Sequence, residues 1–261
     1  MIRAIWGADR LAANPLHFWH PNVPRAFHGY TIAHLTDIHL DGSPRSEARL
    51  DRAVDLVLEA APDLVVCTGD YLTLLRPGAP EKLTAAFARL HAPDGIVSVM
   101  GNHDHRRGRV LTLHALAAAG VTDLNNRHIT IVRGADSLHI AGVDSISRQR
   151  ARLDRALADL PGDGMAILLA HEPDFADVAA AVGRFTLQLS GHTHGGQIRL
   201  PLLTEYNLPA YGRRYLQGMH YVRGLWLWVS RGIGTTGLPV RLLAPPEVTI
   251  VTLGAINLRG V

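Results

Sequence analysis

From residue 31 onward, short unbroken apolar runs alternate with stretches of helical spacing. The run at 31–36, Thr-Ile-Ala-His-Leu-Thr, is short and carries no charged residue, and it predicts a buried strand. A helix is predicted over 45–60, a strand over 63–68, a helix over 81–91, a strand over 95–100 and a helix over 110–119. Strands alternating with helices of this length indicate βαβ units and a largely parallel sheet. The texture then changes. Runs at 128–133 and 137–142 are separated by Gly134-Ala135-Asp136, which predicts a hairpin. A helix over 151–160 stops at Pro161, and strands follow at 165–170, 185–190, 226–229 and 248–253. Residues 1–30 are expected to be irregular, because Pro15, Pro21, Pro24 and Gly29 interrupt any helix. Residues 191–224 are rich in Gly, Pro, Tyr and Arg and are expected to form one long active-site loop. With no linker or repeat, residues 1–261 read as a single α/β domain with two sheets.

Composition narrows the class. Hydrophobic residues make up 47% and charged residues 19% of 261, which excludes a disordered chain and a small disulfide scaffold. Cys67 is the only cysteine, so a Cys-rich zinc site is excluded. No run approaches the ~18 apolar residues of a membrane span, and the N-terminus lacks the apolar core of a signal peptide. A cytoplasmic protein is expected, with peripheral contact to the inner membrane as a further expectation. The net charge of +3 is too weak to argue for nucleic acid as a partner, and none is expected. Lys82 is the only lysine among 26 basic residues, and guanidinium groups pair bidentately with phosphate.

Five of the apolar runs end in polar residues of one chemical kind. They end in Asp37-x-His39, in Gly69-Asp70, in Gly101-Asn102-His103-Asp104, in His171 and in Gly191-His192-Thr193-His194. In α/β sheets ligands bind at the carboxyl ends of strands, so adjacent strands would bring these clusters together. Asp37 and His39 are two apart, and in extended chain they would point the same way; His192 and His194 repeat the spacing. A mixed carboxylate–imidazole set suits Mn, Fe or Zn. Seven candidate ligands are too many for one ion and fit two metals that share a carboxylate.

The order of these motifs resembles the calcineurin-like metallophosphoesterase superfamily, over roughly residues 30–253. The longer runs Gly191-His-Thr-His-Gly-Gly-Gln197 and 229–241 are similar to a bacterial branch. That branch includes cell-wall-associated phosphoesterases and hydrolases of UDP-2,3-diacylglucosamine. The resemblance implies a four-layer αββα sandwich of two mixed sheets with two divalent metals, Mn first among the candidates, at one sheet edge. It implies that Asp37, His39 and His194 hold one metal, that Asp70 bridges, and that Asn102, His171 and His192 complete the other. It further implies that His103 contacts the phosphoryl group and protonates the leaving oxygen, with Asp104 as a second catalytic candidate behind it. Tyr71-Leu72-Thr73 stands where protein phosphatases carry a further Asp-Arg-Gly, which counts against a Ser/Thr protein phosphatase.

The expected reaction is hydrolysis of a phosphoester or diphosphate by a metal-activated hydroxide. UDP-2,3-diacylglucosamine or a related phosphorylated lipid is the first candidate substrate. A general or cyclic-nucleotide phosphodiesterase is the alternative. A non-catalytic scaffold of the same fold would have lost ligands or the acid, and this chain has all of them. No protein partner is evident. Arg106, Arg107, Arg213, Arg214 and Arg231 are the candidate substrate-binding residues, with Arg109 and Arg241 nearby in sequence. Leu200, Tyr206, Leu208, Tyr211 and Tyr215 give the long loop an apolar character suited to a membrane surface.

Overall fold

The apolar runs are unbroken because the strands they form are covered on both faces. The computed structural model describes residues 10–73, 77–200, 204 and 208–256. In the first sheet, β2 (Thr31–Leu35), β3 (Leu64–Thr68), β4 (Ile96–Val99) and the short β5 (Thr122–Asp123) run parallel. The sheet continues past β2 through antiparallel β12 (Glu247–Ala255) to the edge strand β1 (Ala12–His20). The second sheet has the order β10 (Gly218–Val222), β11 (Leu225–Val229), β9 (Leu187–Ser190), β8 (Met165–Leu169), β7 (Asp136–Gly142), β6 (Arg127–Arg133). Its four inner strands are parallel and its two edges antiparallel.

Side-chain alternation sorts each strand into two cores. Ile32, Leu64, Val66 and Val97 of the first sheet meet Ile140, Ile167, Leu169 and Leu189 of the second. On the outer face of the first sheet, Ala33, Leu35, Val65 and Cys67 pack under α1 (Pro44–Ala60), α2 (Ala79–Phe87) and α4 (Arg109–Ala118). On the outer face of the second, Ala141, Ala166 and Leu168 pack under α5 (Leu153–Leu157) and α6 (Ala176–Val182). The result is the four-layer αββα sandwich.

The N-terminal segment departs from the irregular chain expected there. Its prolines do not prevent β1, because Pro15 lies on an edge strand, where one missing N–H is tolerated. Phe18 turns inward and Trp19 outward, the period of a half-buried strand. Likewise β10 forms inside the segment expected as one loop. Of that loop, 201–203 and 205–207 lie outside the described residues.

One polar core residue gives the fold a pH dependence. His34 on β2 is fully buried, with Nε2 2.7 Å from Thr68 Oγ1. Burial pushes its imidazole down to about 3, although Asp37 works the other way. Between pH ~6.5 and about 3 the unfolded chain binds a proton here that the folded chain refuses. Stability is therefore lost as pH falls through that window, by at most roughly 4–5 kcal/mol. Chemical denaturation of His34→Gln across this range should show a flatter acid limb than the parent; equal slopes would exclude the assignment.

Candidate active site

The strands β2 to β5 of the first sheet and the four inner strands of the second point their carboxyl ends to one edge of the sandwich, and the five motifs meet there. Asp37 and His39 follow β2, Asp70 follows β3, and Asn102 with His103 opens α3 (Asn102–Arg107) after β4. His171 follows β8, and His192 and His194 follow β9. Hydrogen bonds tie the two sheets together at this edge. The His192 N–H donates to Asp37 Oδ2 at 2.8 Å, and His171 Nδ1 donates to the Thr68 carbonyl at 2.6 Å.

Six side chains form two compact groups, Asp37–His39–His194 and Asp70–His171–His192, all buried. In the first, His39 Nε2 lies 3.1 Å from His194 Nε2, and His194 Nε2 lies 3.4 Å from Asp37 Oδ1. In the second, His171 Nε2 is 3.2 Å from Asp70 Oδ2 and 3.1 Å from His192 Nδ1. Asp70 Oδ2 is also 3.5 Å from His39 Nε2, so one oxygen faces both groups.

The donor set fits divalent cations. His192 Nε2 donates to the Ala210 carbonyl at 2.9 Å, which leaves the Nδ1 lone pair turned inward. Asp37 Oδ1 and Asn102 Oδ1 are buried oxygens with no hydrogen-bond donor, an arrangement that proteins seldom leave uncompensated. Burial opposes ionisation at Asp37 and Asp70. The facing imidazoles, His194 for Asp37 and His171 for Asp70, nevertheless hold both carboxyls below the usual range. Burial also works against protonation of His171, yet Asp70 draws it well above the usual imidazole range. A cation would replace that proton.

The convergence is not achieved by extended chain, as the two-residue spacing suggested. Asp37, His39, Asp70, His192 and His194 all take positive φ, between 48° and 75°. Such strain costs about 1–3 kcal/mol per residue and collects at functional sites. Two glycines allow the close approach. A Cβ on Gly101 would stand 2.2 Å from Asp70 Oδ1, and one on Gly191 would stand 2.2 Å from Asp37 Oδ2.

Asp104 lies behind the site rather than in it. Its Oδ2 accepts from the N–H groups of Asp70 and Gly101 at 2.8 and 2.9 Å, and its Oδ1 from Tyr71 N–H at 2.9 Å. It clamps the β3 and β4 loops together, and its hydrogen bonds go to backbone N–H groups and not to the His103 ring. Burial and Asp70 push its carboxyl up to about 6. His103 N–H donates to Asp70 Oδ1 at 2.8 Å, and the His103 ring meets His39 edge-on at 4.9 Å.

A cleft of about 370 Å³ opens over these groups. Asp70, Asn102, His103, His192 and His194 border it on the polar side; Ile198, Pro209 and Leu238 supply apolar lining. Among the described residues no arginine lines it. Arg214 is exposed and paired with Asp177, and Arg231 is paired with Glu247. Arg106 and Arg213 are exposed, and the Arg107 side chain lies outside the described residues. Of the expected substrate-binding arginines, Arg106, Arg213, Arg214 and Arg231 do not line the cleft, because these charges are met elsewhere or face solvent.

Two supporting residues had no local signal. Glu172 is buried and accepts from Ser145 Oγ at 2.5 Å and Ser147 Oγ at 2.7 Å, fixing the loop beside His171. Arg241, grouped by sequence with the surface arginines, is fully buried behind His194. Its guanidinium donates to the carbonyls of Gly234 (2.8 and 2.6 Å), Ala244 (3.1 Å) and His194 (3.3 Å). Burial lowers it to about 9, still charged at neutral pH. Arg241→Met would strand the buried carbonyls of Gly234 and Ala244 at about 1–3 kcal/mol each, while that of His194 keeps the Gln197 N–H. A large drop in thermal midpoint, with weakened metal retention, is expected; an unchanged midpoint would refute the role.

Comparison with known proteins places this geometry. The family described as "Calcineurin-like phosphoesterase" matches residues 30–196, a stretch that contains both groups. The metallophosphoesterase YkuE of Bacillus subtilis (strain 168) is 35% identical over 240 residues, covering 90% of this chain and 82% of that protein. Phosphodiesterase YaeI of Escherichia coli (strain K12) is 29% identical, covering 86% of this chain and 82% of its own length. UDP-2,3-diacylglucosamine pyrophosphatase LpxG of Chlamydia trachomatis is 26% identical, covering 88% and 86% respectively. Among solved structures, a 5'-nucleotidase precursor from Thermus thermophilus shares the fold with a TM-score of 0.53 at 15% identity. The match takes in 87% of this chain and spans 54% of that one. Sequence match and paired imidazole–carboxylate groups fall on the same strand ends, and the chain belongs to the calcineurin-like phosphoesterase family.

Proposed function

We propose that this metal-dependent phosphoester hydrolase cleaves a phosphoester or diphosphate bond in an amphipathic, lipid-linked substrate such as UDP-2,3-diacylglucosamine. The observation that carries the reading is the two-sided cleft. Metal-ligand side chains border it together with Ile198, Pro209 and Leu238, and Leu238 is 63% exposed. Leu243, 64% exposed, and Leu200 extend this apolar character along segments joined by the Arg199 N–H to Leu242 carbonyl bond. Clustered exposed apolar side chains mark contact with lipid or a partner. Peripheral contact with the inner membrane, from the cytoplasmic side, is part of the proposal. The likeness to LpxG supports it.

In this reading Asp37, His39 and His194 would hold one cation, and Asn102, His171 and His192 the other, with Asp70 facing both. When bound, two divalent cations offset charge on the phosphoryl oxygens and acidify a water. Manganese is our first assignment, and the same donors accept iron or zinc. Asn102 and His103 border the cleft where the phosphoryl group would lie. His103 would hold the proton for the leaving oxygen, and Asp70 would position His103 through its backbone N–H. Asp104 and Arg241 act as positioning residues, on the β3–β4 loops and on His194.

A second reading, a phosphodiesterase of soluble esters or cyclic nucleotides, is favoured by the lack of a described arginine at the cleft to meet a second phosphate. The likeness to YaeI points the same way. Metal analysis with a hydrolysis panel separates them. The panel holds bis-p-nitrophenyl phosphate, p-nitrophenyl phosphate, cyclic nucleotides and micellar UDP-2,3-diacylglucosamine, each with Mn²⁺. Preference for the lipid substrate, with KM raised about tenfold by Leu238→Ser, is the expected result. Turnover of the soluble esters alone moves the assignment to the second reading. Folded protein with no metal and no turnover would leave only a scaffold.

A further inference from the structure

We propose a second anion site, separate from the cleft, that takes a compact anion bearing two or more phosphate groups. A pocket of about 480 Å³ lies where the start of α4, the turn before β6 and the loop leading into α5 come together. Arg109, Arg127, Arg150, Arg152 and Arg155 line it together with Asp144. No lining residue is shared with the cleft.

The charges in this pocket are not balanced from within. Asp123 Oδ1 accepts from the backbone and side-chain nitrogens of Asn125, at 3.0 and 2.5 Å. Asp144 Oδ1 is engaged by His105 Nε2 at 2.5 Å and by Ser145 N–H at 2.7 Å. Of the five arginines only Arg152 is paired, to Asp154. The side chains of Arg109, Arg127, Arg150 and Arg155 have no acceptor among the described residues, and Arg109 Nε is buried without one.

Several other arginines of the chain find acceptors. Arg89 is met by Asp51 and Asp55, Arg133 by Asp63 and Asp94, and Arg184 by the carbonyls of Pro161 and Asp163. Four guanidinium groups without an acceptor among the described residues gather around this one concavity. Like charges there repel, and a multiply charged anion would offset them with charge-assisted, bidentate hydrogen bonds.

The lining also limits the occupant. Every side chain in it is polar or charged, with no aromatic or aliphatic wall. A nucleobase or acyl chain would have nothing to pack against, so a small di- or polyphosphate is the fitting class. The pocket backs on the helix that carries Asn102 and His103. His105 of α3 bonds Asp144, and Asn125 Oδ1 accepts from Met100 N–H at 2.9 Å, just ahead of Asn102. The inference does not depend on which substrate the cleft takes.

The test is calorimetric titration of the metal-loaded protein with methylenediphosphonate, which resists hydrolysis, with metal content measured before and after. Two binding events per chain are expected. In Arg127→Ala/Arg150→Ala/Arg155→Ala one of them should weaken at least roughly 30-fold, while the metal-centred event stays. Should the triple variant fail to fold, the exposed single change Arg150→Glu reads the same quantity. A single event in the parent protein, or two events that survive both variants, would overturn the site.

Discussion

Asp70→Asn should lose divalent metal from both groups and, with it, turnover on the order of 10³-fold. The two Asp70 oxygens have different tasks. Oδ1 accepts the His103 N–H, and Oδ2 stands within 3.5 Å of His39 Nε2 and 3.2 Å of His171 Nε2. The amide can keep the first contact, with its oxygen toward His103. It then presents an N–H₂ donor where both groups need an acceptor. The Asp70 backbone bond to Asp104 survives the change, so the loop should keep its shape. Elemental analysis of folded variant and parent protein checks this, and unchanged metal stoichiometry would remove Asp70 from the position between the two groups. Asp70→Ala should give the same loss, with an added defect in His103 placement.

His103→Ala should do the opposite. Metal content stays, while turnover of a substrate with a poor leaving group falls by ~10²–10⁴. A p-nitrophenyl ester, whose leaving group needs no proton, should suffer much less. Burial holds the His103 imidazole down at about 4; Asp70 opposes this, and His39, His171 and Arg106 reinforce it. The protonated fraction of the free protein is therefore lost as pH rises through a value below the usual 6.5. kcat/KM for the poor leaving group should fall with rising pH on that limb, which the p-nitrophenyl ester and the variant should lack. An arriving phosphoryl anion raises the imidazole again, so the limb in kcat should lie at higher pH. Full activity of the variant on the poor leaving group would end the assignment.

The contrast between these two variants also separates groups that hold metal from groups that serve the reaction. Asp104, read from sequence as a second catalytic candidate, falls in neither class. With all its hydrogen-bonded oxygens on backbone N–H groups, its removal should disturb the β3–β4 loops before it disturbs the chemistry.

Much was legible in the chain itself. The inner strands were visible because burial on both faces makes each one a continuous apolar run, as in the 64–68 and 165–169 strands. The seven candidate ligands were visible because each sits within a few residues of such a run, and strand ends in parallel sheets converge whatever the details of the loops. What stayed hidden depends on partners far away in sequence. β1 pairs with β12 across some 235 positions (Ala12 with Glu247), and nothing local announces it. Short α3 forms because Asp104 gathers backbone donors from another strand's loop. The positive φ angles at the site are held by tertiary contacts, such as Gly234 N–H on the Asp37 carbonyl, and leave no trace in residue type.

The arginines mark the boundary most clearly. Their positive charge is written in the sequence, but its meaning is set by what the fold brings near. Arg214 meets Asp177, Arg231 meets Glu247, and Arg241 is enclosed behind His194, while Arg127, Arg150 and Arg155 meet no acceptor among the described residues. Strand-end chemistry was determined by sequence because local pattern fixes where strands stop. The use of each charge was decided only by tertiary structure, because electrostatic partnership depends on distance in space and not on order in the chain.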